Sequence, residues 1–220
     1  MKGPLPKLDA LEAIVFDFDG VILESAAIKG AAFEELFADA TEHLESIRAH
    51  HLANLGVSRF EKFDWIYENL FQSPLSASKR QELGHKYSEL VFAESSSCPF
   101  VPGALELVER LSGRVPLFIA SATPQAELEI IVRKRGLERF FAGVFGSPPA
   151  KGLTLAEIVG NEGFEADAVL MIGDGMSDLD AAREAGCLFV ARIDEKAPAQ
   201  PFPPDIPSVR TLHELESLLC

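Results

Sequence analysis

The sequence predicts an α/β fold, a three-layer core built around a parallel sheet with an α-helical insertion after the first strand. Three observations carry this. The run Ala13-Ile14-Val15-Phe16 is apolar without alternation and stops abruptly at Asp17-Phe18-Asp19-Gly20; strands buried on both faces of an α/β sheet have this pattern. From Gly103 onward, strand-like and helix-like segments alternate, which is the rhythm of βαβ units. Between the two, residues 24–98 carry helical periodicity and no strand.

The elements follow in order. Ser25 to Phe37 places Ile28, Ala32, Phe33, Leu36 and Phe37 at helical spacing, and Thr41 to Leu55 forms a second helix ended by Gly56. Ser58-Arg59-Phe60-Glu61 is a capping box opening a third helix through Phe63, Ile66 and Leu70. Ser78 with Gln81 opens a fourth, and Ser95 to Pro102 closes the block. A helix over Ala104–Leu111 then precedes a strand over Val115–Ala120. Thr123-Pro124 starts a helix that Gly136 ends, since Pro suits a first helical turn. A strand over Gly143–Phe145, a helix over Leu153–Val159 and a strand over Ala168–Ile172 come next. Ser177 is expected to cap the following helix, which ends before Gly186. A last strand covers Leu188–Ala191; Pro198, Pro201, Pro203, Pro204 and Pro207 impose an extended segment before a helix over Leu212–Leu219. Residues 1–23 and 99–220 are thus the expected α/β core, and 24–98 the inserted helical domain.

At 220 residues with 47% apolar content, the chain suffices for one core plus an insertion. A net charge of −14 disfavours nucleic acid or an anionic membrane as partner, because both ask for a basic surface. It also means that an anionic ligand must find positive charge locally. Cys98, Cys187 and Cys220 are sparse and irregularly spaced, which points to a reducing, cytoplasmic compartment. Met1 to Ala10 lacks an apolar signal region, and no apolar run approaches membrane-spanning length.

Ligands of such sheets bind beyond the carboxyl ends of the strands. Asp17 and Asp19 lie there, as do Ser121, Lys151 and Asp174, each just past an expected strand, with Asp178 one helical turn further. Taken singly, each has an ordinary reading: a turn serine, a solvated lysine, a loop acid, or an acid favoured by a helix N-terminus. Together they converge on one crevice. Two carboxylates ~4 Å apart repel by roughly 4 kcal/mol at an effective dielectric near 20, so the cluster calls for a hard divalent cation with oxygen ligands, Mg²⁺ being the fitting choice. The lysine and the serine hydroxyl would then hold phosphate oxygens.

Asp17-Phe18-Asp19-Gly20, Ser121, Lys151 and Gly173-Asp174-Gly175-Met176-Ser177-Asp178, in that order, resemble the four motifs of the haloacid dehalogenase superfamily. The helical block after the first motif is similar to that family's cap domain, so the resemblance spans the whole chain. It implies a Rossmann-like core and a Mg²⁺-dependent phosphatase acting on a small phosphorylated metabolite, such as a sugar phosphate, through an aspartyl-phosphate. Asp17 would be the nucleophile and Asp19 the general acid, then base. Asp17, Asp174 and the Asp19 backbone carbonyl would bind the metal, supported by Asp178. Ser121, the adjoining Ala122 and Lys151 would hold the transferring phosphate. An acid at position 19 points to phosphate esters, because members cleaving carbon–halogen or carbon–phosphorus bonds typically lack one.

Gly56-Val57-Ser58-Arg59 is similar to a cap segment of β-phosphoglucomutases in which the arginine grips the substrate's non-reacting phosphate, and Lys29 stands where that pattern has a histidine. Arg59 and Lys29 are therefore candidate substrate-binding residues, and a mutase is the alternative activity. Of the adjacent pair His50 and His51, at most one faces the cleft, since neighbours on a helix diverge by about 100°. A signalling receiver module would share the acid cluster, but not the helical insertion. A monomer or homodimer is expected.

Overall fold

The computed structural model describes residues 6–194 and 202–219. Pro198, Pro201 and Cys220 lie outside them. Six strands form one parallel sheet: β1 (Ala13–Phe16), β2 (Leu117–Pro124), β3 (Gly143–Ser147), β4 (Val169–Gly173), β5 (Leu188–Arg192) and β6 (Ser208–Val209), in the order β3-β2-β1-β4-β5-β6. The apolar run of β1 sits in the middle, with Ile14 opposite Leu117 on one side and Leu170 on the other. Ile14 and Phe16 enter one hydrophobic cluster and Ala13 and Val15 the other, so both faces of the strand are buried without any alternation in polarity.

Core helices cover the two faces of the sheet. These are α5 (Ala104–Leu111), α6 (Gln125–Lys134), α7 (Lys151–Glu162), α8 (Met176–Ala185) and α9 (Leu212–Leu219). Helices α5 and α9 pack on the Ile14 side, while α7 and α8 pack on the Val15 side. The chain builds β1, β2 and β3 outward in one direction, then crosses over to build β4, β5 and β6 in the other. The crevice where the order reverses opens at the carboxyl ends of β1 and β4, and Asp17 and Asp174 follow those two strands directly.

The inserted segment contains α1 (Ala26–Leu36), α2 (Leu44–Ala53), α3 (Arg59–Asn69) and α4 (Ala77–Ser95). Its own hydrophobic cluster is built on Phe33, Phe37, Ile47, Phe63, Ile66 and Tyr87. Several ends differ from the expected ones. The N-cap of α4 is Ser76, which accepts from the Lys79 N–H at 3.2 Å, and not Ser78, because the chain enters the helix one half-turn earlier. Ser58 caps α3 by accepting from the Phe60 N–H at 3.4 Å. Gly175 occupies the N-cap of α8, and the Asp178 carboxylate accepts its N–H; Ser177 lies inside the helix and donates to the Leu55 carbonyl at 2.6 Å. Strand β2 runs past Ala120 to Pro124 through an irregularity in register, and β6 carries no signal in its two residues.

Candidate active site

Asp17 leaves β1 with its N–H still bonded to the Ile172 carbonyl of β4 at 2.8 Å, so the sheet itself fixes its backbone. Its carboxylate accepts from the Phe18 N–H at 2.6 Å and from Lys151 Nζ at 3.0 Å. Lys151, the first residue of α7, also donates to Asp178. Asp178 in turn accepts from the N–H groups of Asp174 (3.2 Å) and Gly175 (3.0 Å), which holds the turn between β4 and α8. One carboxylate oxygen from each of Asp17, Asp174 and Asp178 lies within 4.8 Å of the others, and all three residues are buried.

The electrostatics are those of a buried carboxylate cluster gathered around Lys151. Burial pushes the Asp17 pKa up to about 7, against the pull of Lys151 and with the help of Asp178 and Asp19. Burial and then Asp17 push Asp174 well above the usual carboxylate range. Burial opposes the charge on Lys151, but Asp17 and Asp178 outweigh it and hold its pKa above the ordinary lysine value. The donors are all hard carboxylate oxygens, so the set fits Mg²⁺, which accepts a few carboxylates alongside phosphate and water.

Asp19 is held differently. It accepts from Ser25 Oγ at 2.6 Å, from Thr123 Oγ1 at 2.9 Å and from the Lys29 ammonium, which also donates to Thr123 Oγ1 at 2.7 Å. Burial works to raise its pKa, yet Lys29 and these hydroxyls hold it below the ordinary carboxylate value. Lys29 comes from α1, so the inserted helices reach directly onto the second acid of the loop. Gly20 follows with φ +79°, and a β-carbon there would collide with the Asp174 carboxylate; only glycine lets the two loops come this close.

Ser121 is buried, and its Oγ accepts from the Thr123 N–H at 3.1 Å. With Lys151 it lines a recess of about 250 Å³ that adjoins the cleft. Ala122 lines both spaces. Arg59 lines the cleft, but its guanidinium makes a two-pronged bond to Glu127 of α6 (3.1 and 2.8 Å), donates to Ser88 Oγ at 2.7 Å and lies 4.6 Å over the Tyr87 ring. The two histidines divide as expected: His50 stacks on Trp65 at 3.7 Å, and His51 lines the cleft.

Two cleft residues escape the sequence reading. Thr123 reads as a helix start, yet its hydroxyl serves Asp19. Lys62 is 4% exposed and lines the cleft, where its ammonium lies 3.2 Å from His51 Nδ1. The signal for Lys62 was present: the buried positions of α3 are Arg59, Lys62, Phe63 and Ile66, the i, i+3, i+4, i+7 stripe of an inward face, and two of the four are basic.

The model of haloacid dehalogenase-like hydrolases matches residues 11–186. Phosphoglycolate phosphatase of Synechococcus elongatus is 26% identical over 189 residues, covering 82% of this chain and 83% of that protein. A phosphorylated carbohydrates phosphatase of Thermotoga maritima is 28% identical over 184 residues, covering 80% and 82%. The hydrolase YfnB of Bacillus subtilis, solved bound to magnesium, superposes with a TM-score of 0.68 at 22% identity, over 95% of this chain and 98% of that one. Among the described residues, no helix is long and apolar enough to cross a membrane.

Proposed function

Because the chain belongs to the haloacid dehalogenase-like hydrolase family and is a phosphomonoester hydrolase, we propose that it cleaves small phosphorylated metabolites with Mg²⁺ through a phosphoryl group carried on Asp17. The observation that supports this best is the convergence of Asp17, Asp174 and Asp178 within 4.8 Å at the reversal point of the sheet, with Lys151 bonded to two of them. Residues 1–23 and 99–220 act as the catalytic core, and 24–98 as a cap that selects the substrate. Two curated relatives, named for phosphoglycolate and for phosphorylated carbohydrates, support a small substrate. The cleft bounded by Asp17, Asp19 and the cap encloses only about 50 Å³, space for a few waters. Cys98 and Cys187, both free and buried, suit a reducing cytoplasm.

In this reading, Asp17 attacks phosphorus and the ester P–O bond breaks. The departing oxygen takes its electron pair and a proton from Asp19. Water then gives a proton to Asp19 and attacks the same phosphorus, which releases inorganic phosphate and restores the Asp17 carboxylate. Splitting the displacement in two matters, because unassisted monoester hydrolysis is slow enough to need up to about 10²¹-fold acceleration. Lys151 and the Ser121 hydroxyl hold phosphoryl oxygens, while Lys29 and Thr123 orient Asp19. Asp17, Asp174 and the Asp19 carbonyl would hold Mg²⁺, with Asp178 behind them; bound there, the ion offsets negative charge on the transferring group.

A phosphate-release screen over phosphoglycolate, sugar phosphates and nucleotides, with Mg²⁺ or with chelator, tests this. Release that requires Mg²⁺ and is confined to small esters is the expected outcome; metal-independent release, or none from any ester, would refute it. Incubation with β-glucose 1-phosphate, following glucose 6-phosphate against free phosphate, separates hydrolysis from mutase action.

A further inference from the structure

Three cap side chains bring positive charge to the cleft, and two are already committed. Lys29 is bonded to Asp19, and Arg59 is neutralised by Glu127. Lys62 differs: it is 4% exposed, and among the described residues it forms no ion pair. Its nearest polar partner is neutral, the Nδ1 of His51 at 3.2 Å, and the Phe33 ring lies 5.5 Å away. An ammonium buried without a carboxylate is costly to a fold. Purely structural lysines escape that cost by reaching solvent; this one ends inside the cleft that also contains Asp17 and Asp19.

His51 completes the arrangement. Its ring is buried, Nδ1 faces the lysine, and Nε2 has no hydrogen-bond partner among the described residues. Burial and the neighbouring Lys62 hold its pKa down to about 2, so the ring is neutral. With Nδ1 accepting from the ammonium, the ring proton lies on Nε2. The imidazole therefore fixes Lys62 in place and adds no charge of its own, while Asp174 and Asp19 across the cleft favour the ammonium form that burial disfavours. The result is a positioned cation on the roof of the cleft, opposite the acids of the floor.

We propose that Lys62, positioned by His51, binds a carboxylate at the end of the substrate remote from the scissile phosphate. This rests on the phosphatase reading and narrows its substrate class to short phosphorylated hydroxy acids. A carboxylate suits the position better than a second phosphate dianion, because Lys29 and Arg59 are already paired and Lys62 alone offers a single positive charge among the described cap residues of the cleft.

The test compares phosphoglycolate, ethyl phosphate and ethanediol bisphosphate. The first two share a two-carbon skeleton that ends in a carboxylate or a methyl group. Wild-type protein is expected to favour phosphoglycolate over each of the others in kcat/KM by about tenfold or more, the worth of one charge-assisted contact. Lys62→Met should reduce the preference over ethyl phosphate by about the same factor, chiefly through KM, and Lys62→Arg should restore part of it. Equal wild-type use of phosphoglycolate and ethyl phosphate would overturn the proposal, as would a preference that survives in Lys62→Met. A bisphosphate used as well as phosphoglycolate would overturn the choice of carboxylate. If wild-type protein hydrolyses none of the three, the phosphatase reading is what fails. Calorimetric binding of phosphoglycolate against ethyl phosphate to wild-type protein then still decides the Lys62 site, tighter binding of phosphoglycolate supporting it and equal binding refuting it.

Discussion

At the scale of single residues, the site divides its carboxylates by what surrounds them. Asp17 and Asp174 are buried among like charges and pushed up, Asp17 to about 7, while Asp19 is held below its ordinary value by Lys29. Replacing Lys29 by Met removes the cation that keeps Asp19 ionised, so its pKa rises and the protonated form that donates to the leaving oxygen persists to higher pH; the alkaline limb of the kcat/KM profile should move to higher pH, as a pH–rate series would show. Lys62 gives a stability test. Burial lowers its folded pKa to about 7 from 10.5. Between those two values the unfolded chain binds more protons, so stability rises with pH across that window and the penalty is fully present below pH 7. Lys62→Met should therefore raise the melting temperature most at pH 6, by an amount on the order of a few kcal/mol in stability, and least near pH 10. A gain independent of pH would contradict the assigned burial cost.

At the scale of elements, caps and strand ends carry the predictions. Ser76→Ala should cost about 1 kcal/mol in denaturant unfolding, whereas Ser78→Ala should cost little, because Ser76 Oγ meets the Lys79 N–H. Sequence reading favours Ser78 because Gln81 completes a capping-box spacing; which serine caps depends on where the loop from α3 enters, and tertiary packing sets that. The β1 run was legible to the residue because it is apolar throughout and stops at Asp17, and Ala104–Leu111 and Leu212–Leu219 because their apolar spacing is helical. Strand β6 was not, since two residues carry no period. Asp17, Asp19, Lys151, Asp174 and Asp178 could be read from strand ends. Thr123 could not, and Lys62 was signalled only by its place in the inward stripe of α3, as the chemistry of both depends on how the helical insertion lies over the core.

At the scale of the whole molecule, side chains of the inserted helices are tied to the core around the cleft. Arg59 reaches Glu127 with Ser88 sharing the same carboxylate at 2.5 Å, Ser177 reaches the Leu55 carbonyl, and Lys29 reaches Asp19. Gly56, at φ +79°, passes so close to Ser177 that a β-carbon would collide with its hydroxyl. Glu127→Ala leaves the buried Arg59 guanidinium without its counter-charge and should loosen this closure, read as a larger radius of gyration in small-angle scattering and a raised KM. Metal acts at the same scale. As pH rises from about 4 towards 7, the raised folded pKa of Asp17 makes its ionisation cost stability. Mg²⁺ held there would offset that charge and compete with protons for it, so a Mg²⁺-induced rise in melting temperature should be larger at pH 8 than at pH 5.5.

The most direct measurement is phosphate release by wild-type protein and by Asp17→Asn, on the best ester of the screen and at saturating Mg²⁺. Loss of all detectable turnover in a variant that still melts cooperatively is the expected result; turnover at the wild-type rate in Asp17→Asn would contradict the assignment of the phosphoryl group to that carboxylate.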